Sequence, residues 1–251
     1  MSLGESLDIL FEDNHCLAIN KPAGWPTTHF EGREETVDRL VKAYLKEKYA
    51  KPGEVFLGVV HRLDKPVSGV LLFARTSKAA ARLSQQFRDG AIEKVYWAVV
   101  EGDFSRLAAR GAQRPERGER GNGIAGTLED WLLKDDAAGR IVTVPGTTPG
   151  ARHALLHYEK RAEHGGLTLL ELRPQTGRKH QLRVQLASRG LPIFGDKKYG
   201  SKHRFGHAIA LHARSLTFLH PTRMEPITLK AEVPHFWKGR FAHLLKPGAS
   251  K

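Results

Sequence analysis

Residues 61–69, His61-Arg62-Leu63-Asp64-Lys65-Pro66-Val67-Ser68-Gly69, interrupt two apolar runs, Val55 to Val60 and Val70 to Ala74. Short runs rich in Val, Leu and Phe, bounded by Gly or Pro, read as buried strands. Pro66 and Gly69 mark the interruption as a tight connection. One carboxylate, Asp64, is thereby held between two rigid strands, with His61, Arg62 and Lys65 beside it. Neighbouring cations keep an Asp ionised even when it is partly dehydrated. A positioned, poorly solvated carboxylate can serve as a nucleophile or a general base. A polar hairpin turn without chemistry fits the same residue types, so both readings stand at this point.

A second group lies in residues 171–204, where nine Lys and Arg stand against Glu171 and Asp196. Thr176 or Gly177 can start a helix that Gly190 closes. On it Leu182 and Leu186 face the core, while His180 and Arg183 share another side. Arg178 and Lys179 then fall in the first turn, where the helix dipole disfavours cations. A phosphate or a carboxylate there would compensate, because helix N-termini attract anions. An ordinary basic surface helix is the plainer alternative.

The elements around these groups alternate. Leu7 to Phe11 and Cys16 to Ile19 read as a strand pair across the turn Glu12-Asp13-Asn14. Val37, Leu40, Val41, Tyr44 and Leu45 form one apolar helical stripe that Lys51-Pro52-Gly53 ends. A second helix is capped by Ser77, lined by Ala80, Leu83 and Phe87, and closed by Asp89-Gly90. Ile92 to Glu101 reads as a strand carrying Tyr96 on one face. Strands over Leu128–Leu133, Ile141–Val144, Ala154–Arg161 and Leu167–Leu172 follow, the last two joined by a His164-Gly165-Gly166 turn. Ala208–Phe218 and Ile227–Val233 read as closing strands.

Residues 104–126 differ, with Arg106, Arg110, Arg114, Arg117 and Arg120 among Gly, Ala and acids, as in a mobile surface loop. The Gly121-Asn122-Gly123-Ile124-Ala125-Gly126 run matches GxGxxG, but no strand precedes it and no clear helix follows, so it is no dinucleotide fingerprint. His153 and His157 have no carboxylate between them and no Cys nearby, which argues against a metal pair.

The chain has 251 residues, enough for a sizeable core. Its 40 Lys and Arg against 27 Asp and Glu give a net charge of +13, which favours a polyanionic partner, nucleic acid above all. One cysteine, Cys16, excludes a disulfide framework and a thiolate metal cluster. The acidic start, MSLGESLDILFED, lacks the features of a signal peptide, and no apolar run approaches the roughly 20 residues of a membrane span. A cytoplasmic protein is expected.

HRLDKPVSGVLLFART resembles the HRLDxxTSGLLLFAKT signature of the RluA-type RNA pseudouridine synthases, with Val67 where many members have Thr. ILFEDNHCLAINKPAG is similar to the family's first motif, ILYEDDHLLVVNKPAG, which is usually structural. EKVYWAVVEG resembles EKTYLALVEG. LRPQTGRKHQLRVQLASRGLPIFGDKKYG resembles LxTGRTHQIRVHLAxxGHPLVGDxxYG, with Gln185 in place of a common His. ALHARSLTFLHP looks like the C-terminal pattern. The likeness runs from about Leu7 to Pro234.

The resemblance implies an α+β catalytic domain with a mixed, largely antiparallel sheet, packed helices and a central cleft between the Asp64 loop and the Arg183 helix. It implies isomerisation of uridine in structured rRNA or tRNA to pseudouridine on a flipped-out nucleotide. By the same likeness Asp64 is the catalytic residue, Arg183 its charged partner, and Tyr96 the ring against the uracil. Arg62, His61, Arg178, Lys179 and His180 would meet RNA. No metal and no cofactor are called for. A separate N-terminal RNA-binding domain, common in the family, is not expected, and the whole chain reads as one monomeric catalytic domain. A non-catalytic RNA-binding protein that keeps the fold is the alternative.

Overall fold

The structure, a computed structural model, describes residues 7–28, 35–105, 107, 116–117 and 124–245. The chain divides into two compact units, Met1–Lys94 with Ala213–Val233 and Val95–His212 with Pro234–Lys251.

The first unit is built on strands β1 (Ile9–Glu12), β2 (Cys16–Lys21), β3 (Gly58–Val59) and β4 (Ser68–Ala74), with helices α1 (Val37–Lys48) and α2 (Ser77–Arg88). The β1–β2, β2–β4 and β3–β4 pairs are all antiparallel. Every residue of β4 is buried, the signature of a central strand covered on both faces. Cys16, Ala18, Val70, Leu72, Ala74, Ala79 and Leu83 form its core with Leu216, Phe218 and Leu229 from the strands near the end of the chain. Val37, Val41 and Leu45 are the buried stripe of α1, as their spacing predicts. The cap of α2 is Thr76 in place of the expected Ser77, its side chain accepting the Ala79 N–H at 3.2 Å. Of the run Val55 to Val60, only Gly58 and Val59 are strand; Val55 and Leu57 are buried without joining it.

The second unit holds strands β5 (Glu93–Glu101, from Val95 onward), β6 (Glu116–Arg117), β7 (Ile124–Asp135), β8 (Arg140–Val144), β9 (Arg152–His164) and β10 (Leu167–Pro174). β10 lies between β5 and β9, and β9 pairs with β7, all antiparallel. The β9–β10 hairpin turns on Gly165 and Gly166, whose φ values of 58° and 73° suit a two-residue turn of the primed kind. Helix α3 (Gln181–Ala187) follows, with Val184 packed beside Tyr199 on Leu132, Ile141 and Ala154. Strands β11 (Leu211–Leu219) and β12 (Pro226–Lys230) pair antiparallel, the latter within the first unit. Two short helices, α4 (His235–Arg240) and α5 (Ala242–Leu245), close the second unit. Thus the elements are those of an α+β, largely antiparallel fold. Among the described residues no helix is long and apolar enough to cross a membrane.

Most of the expected 104–126 loop, including Arg106, Arg110, Arg114 and Arg120, lies outside the described residues. Ile124 to Gly126, however, belong to β7. A Cβ on Gly126 would come within 2.6 Å of the Tyr158 hydroxyl, so this glycine makes room for a ring.

Candidate active site

In the first unit Asp64 lies in the connection from β3 to β4, half-buried, with Arg62 and Lys65 exposed on either side. The connection is gripped by residues 21–27. Thr27 Oγ1 donates to the Leu63 carbonyl at 2.9 Å and accepts the Leu63 N–H at 3.2 Å, which holds the residue before Asp64 from both sides of its peptide. The residue after it is held too, because Gly24 N–H donates to the Lys65 carbonyl at 2.8 Å. Helix α1 secures the grip, its Val37 and Asp38 N–H groups donating to the Pro26 and Thr27 carbonyls. Within the turn Val67 N–H donates to the Asp64 carbonyl at 3.0 Å, and Val67 itself is buried. Gly69 has φ +115°, and a Cβ there would lie 2.3 Å from the Ala213 carbonyl oxygen, so β4 can approach that strand only with glycine.

Lys21, at the end of β2, has no exposed surface. Its Nζ donates to the carbonyls of Pro22 and Trp25 at 2.8 Å each and of Lys65 at 3.3 Å. Burial pushes its pKa down to about 7, and the charge of Asp64 acts against that fall. Three carbonyls match the three N–H groups of an ammonium, whereas a neutral amine would leave one acceptor short. The cage therefore favours the cation, next to the Asp64 loop. The sequence reading gave the NKPAG segment no chemistry; its lysine is part of the frame that holds the carboxylate.

His61 is tied into the fold of the first unit. Its Nε2 accepts the Leu72 N–H at 2.9 Å, and its ring stacks on Phe87 at 4.7 Å between centroids. Burial first, and then the charge of Lys94, hold its pKa down to about 3. A neutral imidazole bound to a strand amide braces the loop.

The second unit carries Arg183, Tyr96, Arg178, Lys179 and His180. Helix α3 begins at Gln181, later than the sequence suggests. Thr176 is drawn to β9, accepting the Leu155 N–H at 3.0 Å, and its hydroxyl also donates to Gln181 Oε1, which accepts the Arg178 N–H as well. Arg178 and Lys179 thus precede the helix and are exposed, so the expected first-turn conflict with the dipole does not arise. His180 adopts φ 53° at the helix start, and its Nδ1 lies 2.8 Å from Tyr199 Oη. Tyr199 Oη also accepts the Ile141 N–H at 3.1 Å. The His180 ring is thereby tied to a neighbouring tyrosine.

Arg183 is 6% exposed despite its charge. Its Nε and Nη2 donate to Asp196 Oδ2 and Oδ1 at 2.6 and 2.8 Å, and its Cζ lies 5.0 Å from the centre of the Tyr199 ring. Tyr96 sits on β5 opposite Leu172 of β10, half-buried. Gln185 is fully buried; its Nε2 donates to Asp130 Oδ2 at 2.7 Å and to the Leu128 carbonyl at 3.2 Å. The amide thus supplies a buried donor to Asp130, which Arg189 also holds.

Asp13, Cys16 and His220 present ligand-type atoms within 4.8 Å of one another. Asp13 is already occupied, accepting the His15 and Cys16 N–H groups on Oδ1 and the His220 and Arg223 side chains on Oδ2. Burial and the Asp13 charge push the Cys16 thiol up to about 12, so it stays protonated. This group reads as a lock on the β1–β2 turn.

Residues 15–188 match the family model of the RNA pseudouridylate synthases. The chain is 32% identical over 241 residues to ribosomal large subunit pseudouridine synthase D of Zymomonas mobilis, covering 91% of this chain and 69% of that one. It is 33% identical to tRNA pseudouridine synthase C of Haemophilus ducreyi, covering 94% of each. The solved structure of human RNA pseudouridylate synthase domain containing 4 superposes with a TM-score of 0.75 at 25% identity, covering 98% of this chain and 97% of that one. With these motifs, this fold and a family match spanning most of its length, the chain belongs to the RNA pseudouridylate synthases, isomerases that convert uridine in RNA to pseudouridine.

Proposed function

We propose that this protein converts particular uridines of folded ribosomal or transfer RNA to pseudouridine, with Asp64 as the nucleophile. The observation that carries this reading is the double grip on the Asp64 connection, through Thr27 on Leu63 and Gly24 with Lys21 on Lys65. A carboxylate framed so firmly beside a buried lysine is prepared to act without reorganising. The names of relatives that act on ribosomal and transfer RNA support the substrate class.

The reaction breaks the C1′–N1 bond, turns the uracil, joins C1′ to C5, and moves the C5 proton away while N1 gains one. No electron is exchanged with another molecule, so the reaction needs no redox cofactor. Asp64 attacks either C1′ of the ribose or C6 of the base. Arg183 has the role of the residue that orients the reacting carboxylate. Tyr96 packs on the uracil or assists removal of the C5 proton. The target is flipped from its stack at a cost of a few kcal/mol, with Arg62 filling the vacated space. Arg178 and Lys179, both exposed, contribute the salt-sensitive share of RNA binding. The chain acts as a single monomeric catalytic domain on cytoplasmic RNA.

Pseudouridine mapping on ribosomal and transfer RNA pools that lack the modification tests this, using wild type and Asp64→Asn. New pseudouridine at a discrete site with wild type, and none with a variant that still binds RNA, is the expected result. Modification that persists with Asp64→Asn removes Asp64 from the mechanism. Tight, salt-sensitive binding with no modification by either protein points to a non-catalytic RNA-binding role.

A further inference from the structure

Arg183 is oriented by two side chains of the turn after its helix. Asp196, 1% exposed, meets the guanidinium edge-on through Nε and Nη2, while Tyr199 lies across its face. A guanidinium is a flat fork, so a two-bond partner in its plane and a ring over that plane leave it a single orientation. The turn carrying both residues is rigid. Tyr199 and Ser201 N–H groups both donate to the Asp196 carbonyl at 3.0 Å, and Gly195 N–H donates to Ser201 Oγ at 2.9 Å. Gly195 has φ +88°, where a Cβ would meet that of Phe205 at 2.6 Å. Tyr199 is fixed in turn by the Ile141 N–H and His180 Nδ1.

We propose that Asp196 and Tyr199 are positioning residues of the reaction, which act by fixing the orientation of the Arg183 guanidinium. This rests on the roles given above to Asp64 and Arg183. The charges support orientation over simple attraction: a buried carboxylate on Arg183 cancels most of the field that a bare cation would exert. If Arg183 acted only by its charge, Asp196 would oppose the reaction.

That difference sets the sign of the test. Asp196→Asn keeps the shape and one acceptor but removes the negative charge. With RNA carrying tritium at uracil C5, tritium release should fall on the order of 100-fold in kcat, with KM little changed, because a small misplacement of a catalytic group costs that much. A kcat at or above that of wild type overturns the proposal. Asp196→Asn combined with Arg183→Lys should be no slower than Arg183→Lys alone, since one acts through the other; additive losses overturn it. The Arg183 Nε–Hε resonance gives a readout apart from activity. It should be sharp and exchange-protected in wild type and lost in Asp196→Asn while backbone amide signals persist; an unchanged resonance overturns the clamp. Should Asp196→Asn not fold, Tyr199→Leu takes its place, with the same losses expected and full turnover counting against. Asp64→Asn is measured alongside: activity there would unseat the nucleophile, whereas the Nε signal would still judge the clamp.

Discussion

The Arg183 guanidinium and the Asp196 carboxylate form a two-bond pair, at 2.6 and 2.8 Å, in surroundings that leave the two residues 6% and 1% exposed. Drawing two charges out of water is costly, and the pair repays this only while both partners are present. Asp196→Ala should therefore lower the unfolding free energy by about 3–5 kcal/mol in urea denaturation, because it strands a buried cation. Arg183→Met with Asp196→Leu should recover most of that stability and show no turnover. A double variant as unstable as Asp196→Ala would mean that the surroundings, and not the pair, set the cost.

The Thr27 hydroxyl serves both the N–H and the carbonyl of Leu63, next to Asp64. Thr27→Val keeps the shape of a buried side chain and leaves two backbone groups unpaired. A loss of about 1–3 kcal/mol follows from the desolvation of such groups. Turnover should fall with it, since the backbone beside Asp64 loosens, while RNA affinity stays near wild type in a filter-binding assay. Equal turnover in a destabilised Thr27→Val would show that Thr27 serves folding alone.

Much of this frame is visible in the residues themselves, and the reasons for the exceptions are physical. The β9–β10 hairpin follows from two adjacent glycines that both take φ above zero. The α1 stripe follows from its period. Helix α3 is shorter than its flanking Thr176 and Gly190 suggest, because Thr176 bonds to β9 and Gln181 and because His180 turns left-handed. Lys21 resembles a surface lysine beside a proline; its burial depends on carbonyls from residues 22, 25 and 65, which only the fold assembles. Asp196 and Tyr199 likewise register only as part of a charged turn until the first turn of α3 brings Arg183 against both. Helices α4 and α5 are too short for periodicity to reveal.

His61 gives the fold a defined acid limb. Its folded pKa, held down to about 3, lies below the ordinary 6.5, so the native state keeps the ring neutral where the unfolded chain takes up a proton. The stability it contributes is complete above pH 6.5 and drains away as the pH falls toward 3. The slope from this one group is about 1.4 kcal/mol per pH unit inside that window. His61→Gln, with a side-chain carbonyl to accept the Leu72 N–H, should be less stable than wild type at pH 7 and lose less on going to pH 4. Urea unfolding at the two pH values checks this; parallel losses in both proteins would place the acid sensitivity elsewhere.

Arg178 and Lys179 stand exposed just before α3, and Arg178 is aimed by its Nε bond to the His153 carbonyl at 2.9 Å. A cation held in this way meets a phosphate with less ordering cost than a free side chain. Each phosphate contact that is lost removes about one unit from the slope of log K against log salt. Arg178→Ala and Lys179→Ala should each flatten that slope by about one unit and weaken binding to different RNAs alike. Neither touches the Arg183 clamp, so kcat at saturating RNA should hold while KM rises. An unchanged slope would show that these two cations face solvent in the complex. A fall in kcat with the slope intact would instead tie the segment to the placement of Arg183, through the Gln181 side chain that the Arg178 amide bonds.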